Sequence, residues 1–214
     1  MRRQRIFATY TGWIILINVI AFIGFLILAN FVGEQTAVDW VAIQPANFLS
    51  GVFVWTLITS MFMHANLTHL FVNMLSLMFI GSFVERLVGK KRFLWVYFGG
   101  GLIAGLFFVL VAWLTGSDLN VYAVGASGAI FALGGLLAVL TPRLPVLVFF
   151  IIPMPMWMAM IFLMVILWVL SLSMGLPIGN TAHLGGLLVG LGYGFYLKKK
   201  YPRKTAMISR YFSR

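Results

Sequence analysis

The chain has 214 residues, of which 62% are hydrophobic and only 9% are charged. Soluble domains are usually about 45–50% apolar and about 25% charged, so this composition excludes a soluble fold, a disordered chain and a large polar domain. Fifteen lysines and arginines against four acidic residues give a net charge of +11, which would suggest a nucleic-acid partner in a soluble chain. The chain has no cysteine, which excludes disulfides, thiolate catalysis and cysteine-bound metals.

Long apolar segments predict membrane-spanning helices. Such a helix needs about 20 mostly apolar residues to cross about 30 Å of hydrocarbon. Six segments are predicted to span the membrane, near residues 11–31, 57–84, 93–114, 121–141, 154–173 and 180–197. Prolines interrupt the chain before the fifth segment, so residues 143–153 are expected to form an apolar connection at or in the membrane interface. The expected fold is all-α, a single domain over residues 1–214 with six transmembrane helices.

The basic residues orient these helices. All fifteen fall on one side of the predicted spans, whereas the loops on the other side contain no Lys or Arg, namely 32–56, 115–120 and 174–179. The positive-inside rule then places both termini in the cytoplasm and these loops outside. This distribution explains the net charge without a nucleic-acid partner. In the first external loop, Trp40, Phe48 and Trp55 are consistent either with contact to the outer leaflet or with ordinary packing.

Polar residues inside the predicted spans point to a functional site, because they are costly in lipid and usually mark function. His64, His69 and Asn73 fall in the second segment. His69 and Asn73 are four residues apart and share a helix face. His64 is roughly 140° away around a regular helix, so it belongs to another face or precedes the helix. A structural role is expected for His64.

Two further segments place a serine and a histidine on facing stripes of small residues. The sixth segment carries one such stripe, made of His183, Gly186, Gly190 and Gly194. In the fourth segment Ser127 shares a stripe with Phe131 and Gly134. Small residues at this spacing let helix backbones approach closely in membranes. Both helices enter from the external side, so the serine and the histidine are predicted to meet roughly 5–10 Å below the outer surface.

A serine beside a histidine is the minimum for nucleophilic acyl transfer. The oxyanion that forms needs donors, which the Ser127 backbone N–H, the Asn73 amide and a His69 N–H can supply. Of the four acidic residues only Asp118 is near the correct side, so a Ser–His dyad rather than a triad is predicted.

The main alternative is a polytopic transporter or channel that uses the intramembrane histidines as a proton or metal relay. A metal site would need converging ligands with supporting carboxylates, and none is predicted at that depth. No metal and no cofactor are therefore expected. A zinc protease would need His-Glu-x-x-His and an aspartyl intramembrane protease two membrane aspartates, and the sequence contains neither pattern.

These motifs resemble the rhomboid family of intramembrane serine proteases over nearly the whole chain. The resemblance is carried by the His-x4-His-x3-Asn run of His64, His69 and Asn73, by the Gly-x-Ser-Gly of Gly125, Ala126, Ser127 and Gly128, by Ala182-His183 with the glycine stripe, and by Trp55, Glu85 and Gly89. It is closest to the minimal six-helix prokaryotic type. A cell membrane location, the prokaryotic inner membrane, is expected because no organelle-targeting presequence is visible.

The resemblance also implies residue roles. Ser127 would be the nucleophile, His183 the general base and acid, and His69, Asn73 and the Ser127 amide the oxyanion hole. The supporting residues would be Gly125, Gly128, Phe131, Gly186 and His64. The substrates would be transmembrane proteins cut near the outer leaflet, and the fifth helix would act as a lateral gate. Two positions depart from the family pattern, because Thr56 replaces an arginine and Phe131 replaces a common tyrosine.

Overall fold

Long apolar helices make up most of the molecule. The structure is a computed structural model that describes residues 9–149, 151–174 and 179–212. In chain order the helices of this part are α1 (Tyr10–Val32), α2 (Glu34–Val41), α3 (Pro45–Leu49), α4 (Thr56–Thr59), α5 (Leu67–Ser76), α6 (Ser82–Val88), α7 (Lys90–Thr115), α8 (Ser127–Leu140), α9 (Met156–Met174), α10 (Asn180–Lys200) and α11 (Pro202–Tyr211). A π-helical turn, Leu77–Gly81, joins α5 to α6.

Four helical segments of the described residues are long and apolar enough to cross a membrane. They are α1, the continuous Leu67–Val88 segment, α7 and α9. Helix α8 is apolar but has only 14 residues, and α10 has 21 residues that end in three lysines. The first, third, fifth and sixth predicted segments agree with α1, α7, α9 and α10 to within three residues at each end.

The predicted starts of the second and fourth segments are wrong. Helix α5 begins at Leu67 rather than near 57, because the Asn66 side chain caps its first turn by accepting the N–H of His69 at 2.8 Å. Helix α8 begins at Ser127 rather than near 121. The residues before it are held extended by a bridge between Ala123 and Ile43, and Gly125 adopts a φ of 123° that ends this stretch.

A β-hairpin corrects the all-α expectation. Strand β1 (Pro145–Val148) pairs antiparallel with β2 (Ile152–Pro155), between α8 and α9. Prolines lack the N–H that a helix interior requires, and the Val and Ile residues between them favour strands. The hairpin falls in the region predicted to be an apolar connection. Its position at the membrane interface stays a prediction.

Helix α8 is the centre of the bundle. Twelve of its fourteen residues are buried, so it is enclosed by neighbouring helices on nearly every side. Leu133, Leu136 and Leu137 belong to one hydrophobic core with Phe93 and Tyr97 of α7. Because α8 begins with Ser127, the predicted nucleophile is attached to the most enclosed element of the described structure.

The opposite end of α8 lies among basic residues. The Lys90 ammonium lies 5.0 Å from the ring centroid of Tyr10, and Arg92 donates to the Tyr201 hydroxyl at 3.1 Å. These contacts bring together the start of α1, the start of α7 and the end of α10. At the same end the buried Glu85 carboxylate accepts the backbone N–H of Tyr10 at 3.0 Å and that of Thr11 at 2.9 Å. A carboxylate at a helix N-terminus is favourable because it satisfies free N–H groups and opposes the helix dipole.

Candidate active site

Ser127 and His183 meet at the starts of two adjacent helices. Ser127 is the first residue of α8, and His183 lies in the first turn of α10. The Ser127 Oγ and the His183 Nε2 are 2.8 Å apart, a hydrogen-bond distance. The His183 side chain is buried, with 8% of its surface exposed. The imidazole is therefore largely shielded from water while it contacts the serine hydroxyl.

Glycines make this contact possible. A Cβ added to Gly186 would overlap the carbonyl oxygen of Gly128, and one added to Gly190 would overlap that of Ala132. One turn further, Gly194 faces the side chain of Val139. The two helices thus run parallel with their backbones in contact, and the close approach predicted from the glycine stripe is confirmed. Any side chain at Gly186 would move the start of α10 away from Ser127.

Phe131 stacks on the histidine. Its ring stacks on the His183 ring with centroids 4.6 Å apart and an angle of 17° between the planes. Phe131 is one turn after Ser127, so α8 supplies both the hydroxyl and the aromatic surface that holds its partner. Gly134, predicted on the same stripe, faces away from the site toward the Met160 thioether of α9.

The start of α8 leaves backbone donors available beside Ser127. The first N–H groups of an α-helix have no acceptor within the helix. No side chain of the described residues caps this turn, and the residue before it is Ala126. Gly125 is fixed by its N–H, which donates to the Ser60 carbonyl at 2.8 Å. This role of Ser60 could not be predicted from the sequence, because a backbone carbonyl gives no residue-type signal.

His69 and Asn73 lie on α5, next to the same loop. A methyl group added at Gly125 would lie 3.0 Å from His69 Nε2 and 3.6 Å from Ser127 Oγ. The imidazole and the hydroxyl therefore both border the space beside Gly125. The Asn73 amide donates to the His69 carbonyl at 2.9 Å, which uses one of its two N–H groups. His64 precedes α5, is fully buried, and packs edge-on against the His69 ring with centroids 5.1 Å apart.

No carboxylate completes a triad among the described residues. His183 Nδ1 is buried and makes no hydrogen bond within this part of the chain. Glu85 is engaged with α1 at the basic end, and Asp39 accepts a hydrogen bond from the Tyr122 hydroxyl. The same residues contain no group of three or more His, Cys, Asp or Glu side chains that could hold a metal ion.

The first loop holds the segment that leads to Ser127. Ile43 and Ala123 exchange two backbone hydrogen bonds, of 3.1 and 2.8 Å, and Ala46 N–H donates to the Leu119 carbonyl at 2.9 Å. Burial and the neighbouring Asp39 carboxylate raise the pKa of Tyr122, which keeps its hydroxyl a donor to Asp39. This loop therefore positions the segment before Ser127 from outside the helical core.

The aromatic residues of the first loop have different surroundings. Trp40 and Trp55 are exposed, and the Trp55 indole N–H donates to the Trp40 carbonyl at 2.9 Å. Phe48 instead packs on a small core that contains Ile43 and Phe108. Thr56, at the position where the family often has arginine, is buried and donates to the Phe53 carbonyl at 2.6 Å. Contact of this loop with the outer leaflet stays a prediction.

Comparison with known proteins identifies the family. Residues 53–200 match the model of the Rhomboid domain. The chain is 39% identical over 145 residues to RHOMBOID-like protein 5 of Arabidopsis thaliana, covering 67% of this chain and 44% of that protein. It is 32% identical over 153 residues to Rhomboid protein 1, mitochondrial, of Saccharomyces cerevisiae, covering 70% and 43%. It is also 34% identical over 82 residues to Inactive RHOMBOID-like protein 8 of Arabidopsis thaliana, covering 38% and 22%.

The fold and the site thus define a multi-pass membrane protein with a buried serine–histidine contact at the starts of two adjacent helices. The chain belongs to the rhomboid family. It spans less than half of the length of each of these three relatives.

Proposed function

We propose that this protein is an intramembrane serine endopeptidase that uses a Ser127–His183 dyad. The observation that carries the proposal is the 2.8 Å contact between Ser127 Oγ and His183 Nε2 in a buried site of a membrane-spanning rhomboid. A hydroxyl beside an imidazole is the arrangement that nucleophilic acyl transfer requires. A relative named inactive makes a direct test of activity necessary.

The reaction proceeds in two stages. Ser127 Oγ bonds to the carbonyl carbon of the scissile peptide while His183 Nε2 takes the hydroxyl proton. The tetrahedral intermediate collapses when the C–N bond breaks and the imidazolium returns this proton to the leaving nitrogen. A water molecule then attacks the acyl-enzyme, His183 accepts its proton, and Ser127 Oγ leaves with a proton from the same imidazole. The second fragment is released as a carboxylic acid and both residues are regenerated.

The oxyanion is stabilised from α8 and α5. The Ser127 N–H is available because it lies in the uncapped first turn of α8, whose dipole also favours negative charge. His69 lies beside Gly125, and the Asn73 amide retains a second N–H. These preorganised donors strengthen their interaction as charge develops on the carbonyl oxygen, which is the requirement for lowering the barrier.

The dyad works without a carboxylate. His183 Nδ1 makes no hydrogen bond within the described residues, so its ring orientation comes from the Phe131 stack rather than from an acid. The neutral imidazole that accepts the Ser127 proton carries its own proton on Nδ1. Phe131 retains the ring that this role needs and lacks only the hydroxyl of the tyrosine common in the family.

The substrates are transmembrane segments of other membrane proteins. A regular helix uses its carbonyls in its own hydrogen bonds, so a segment must unwind before Ser127 can attack it. Small or helix-breaking residues near the cut are expected. Cleavage takes place in the outer part of the membrane, because the site is at the end of the bundle opposite the basic residues.

We infer one domain over residues 1–214 with six transmembrane helices and cytoplasmic termini. Helices α8 and α10 complete the four longer spans, and the short α8 is enclosed by its neighbours. The basic residues at the ends of α6, α7 and α10 support this orientation under the positive-inside rule. The inner membrane of a prokaryote is the proposed location.

Labelling by a fluorophosphonate probe, which modifies activated serines, tests the proposal. The wild type should be labelled, and Ser127→Ala and His183→Ala should not. Ser50→Ala is a matched control, because Ser50 is exposed and its hydroxyl donates to the Ala46 carbonyl of the adjoining helix. Equal labelling of the wild type and Ser127→Ala would refute the nucleophile assignment. Proton or metal flux into liposomes that survives Ser127→Ala would favour transport instead.

A further inference from the structure

Two cavities lie at the basic end of the bundle, and they differ in charge. The first, about 390 Å³, lies beside the start of α1 and is lined by the Glu85 carboxylate together with Arg86 and Lys90. The second, about 330 Å³, lies between the ends of α8 and α10 and helix α11. Among the described residues, Lys198 and Arg210 are its charged lining, and none of its lining residues carries a carboxylate. The second cavity therefore suits an anionic ligand, whereas the Glu85 carboxylate already places a negative charge in the lining of the first.

The chain around this second cavity is strongly basic. Residues 198–212 contain six basic and no acidic side chains, namely Lys198, Lys199, Lys200, Arg203, Lys204 and Arg210. Lys200 donates to the Tyr196 hydroxyl at 2.7 Å and does not line the cavity. Lys198 and Arg210 line the cavity, and Val139 of α8 forms an apolar part of its floor. The cavity is thus lined by two cationic side chains and, at its floor, by an apolar one.

Helix α11 has the pattern of a helix that lies on a membrane surface. Its inner side carries Thr205, which is buried, and continues to Phe212, whose ring packs edge-on against Phe83 at 5.2 Å. Its outer side exposes Met207 and Tyr211, which are 68% and 75% accessible and lie one turn apart. Apolar residues on the outer face of a basic helix favour burial at the boundary between headgroups and acyl chains.

The cations of α11 flank this apolar stripe. At roughly 100° per residue, Lys204 lies on one side of Met207 and Tyr211, and Arg203 and Arg210 lie on the other. Long basic side chains in this arrangement extend toward phosphate groups while the apolar residues enter the lipid. Helix α11 follows α10 directly, after Tyr201, so it lies where α10 leaves the membrane. The occupant that fits this surface and the adjoining cavity is a phospholipid.

We propose that the cleft between α8, α10 and α11 binds the phosphate of an anionic phospholipid headgroup, held by Lys198 and Arg210. The lipid belongs to the leaflet at the basic end of the bundle, and its acyl chains lie against Met207 and Tyr211. Basic pockets between transmembrane helices bind anionic headgroups by this combination of charge and apolar contact. The bound lipid couples the C-terminal helix to the bundle near the base of α8.

Native mass spectrometry of the full-length protein in a non-ionic detergent tests this site. The probes are phosphatidylglycerol and phosphatidylcholine with identical acyl chains, titrated separately. The wild type should retain phosphatidylglycerol preferentially. The double variant Lys198→Gln/Arg210→Gln should bind it roughly 25-fold more weakly, since each basic residue near a lipid surface contributes about fivefold. The charge-conserving variant Lys198→Arg/Arg210→Lys should retain it.

A second double variant, Lys91→Gln/Arg143→Gln, is the matched control, because it removes the same charge from exposed positions outside the cleft. It should bind phosphatidylglycerol as the wild type does. Equal weakening in both double variants, or equal retention of the two lipids, would overturn the proposal. Competition by millimolar inorganic phosphate tests whether the cleft binds free phosphate rather than the phosphate of a lipid headgroup. Complete displacement of the lipid would show a free-phosphate site and would also overturn it.

Discussion

Helix α8 packs on α10 and on α9 by two different means. On the α10 side, Gly186 and Gly190 bring the two backbones into contact. On the α9 side, Gly134 faces the flexible thioether of Met160. Only three of the nineteen residues of α9 are buried, against twelve of fourteen in α8. One interface is therefore set by backbone atoms and the other by the end of a mobile side chain.

This difference shows where the protein needs fixed geometry. The Ser127–His183 distance depends on the α8–α10 interface, where no side chain can adjust because the glycines have none. Methionine is unbranched and adapts to irregular gaps, so the α8–α9 interface tolerates small displacements. The lateral gate implied for the fifth helix stays an expectation, and the weak attachment of α9 supports it.

Among substitutions that keep both dyad residues, the largest effect should come from removing an oxyanion donor, which leaves both helix interfaces intact. Asn73→Ala should lower kcat about 10²–10³-fold, the usual effect of losing one such donor, while the free energy of unfolding changes by only about 1 kcal/mol. Cleavage kinetics and thermal unfolding in detergent measure the two quantities. Asn30→Ala is the control, because Asn30 makes the same side-chain bond to the carbonyl four residues earlier on an exposed face. A kcat like that of the wild type would remove Asn73 from the oxyanion hole.

Gly186→Ala tests the rigid interface. The added methyl group would overlap the Gly128 carbonyl oxygen, so α10 must shift and carry His183 away from Ser127. We expect a loss of about 1–3 kcal/mol in stability and about 10²-fold in activity, since a displacement of 1 Å can cost that much. Parallel measurements of melting temperature and cleavage rate check both effects. Unchanged activity would show that the dyad does not depend on this contact.

Phe131→Leu tests the ring that orients His183. The substitution removes the stacked ring at 4.6 Å and keeps an apolar side chain. Aromatic stacking contributes about 0.5–1.5 kcal/mol beyond area burial, so the cleavage rate should fall roughly 2- to 10-fold. Phe131→Tyr retains the ring and should be near wild type. If Tyr and Leu reduce the rate equally, the stack has no part in positioning the histidine.

The smallest effect is expected at the α8–α9 interface. Gly134→Ala places a methyl group against the Met160 sulfur, which can move aside, and the gain in helix propensity offsets the remaining strain. Stability should change by less than about 0.5 kcal/mol. Gly192→Ala, where no atom of a neighbouring described element lies within 4 Å of the added Cβ, is the reference substitution for α10. A melting temperature for Gly134→Ala as low as that of Gly186→Ala would show that both interfaces are equally rigid.

Features decided by local interactions could be predicted from the sequence, whereas features decided by contacts between distant residues could not. The ends of α1, α7, α9 and α10 follow from apolar length, which is local. The glycine stripe of α10 predicted a close approach because small residues at a helical spacing have few other uses in a membrane. The starts of α5 and α8 were predicted too early because apolar composition continues past the point where the helix begins. At α8 the deciding contact is Ile43 with Ala123, which are eighty residues apart in the chain.

The sequence by itself determined that this is a membrane protein, which residues could carry acyl transfer, and that a carboxylate was scarce. These conclusions rest on residue types and helical spacing. Only the tertiary structure placed Ser127 at the first turn of α8, with Gly125 held by the Ser60 carbonyl and His183 stacked on Phe131. It also formed the hairpin after α8 and the cleft beside α11. Contacts between segments that are distant in the chain decide the positions of Gly125, Ser127 and His183, and the Gly125–Ser60 contact uses backbone atoms, which carry no residue-type signature. The hairpin is local, and its prolines and β-branched residues already interrupt the helical pattern.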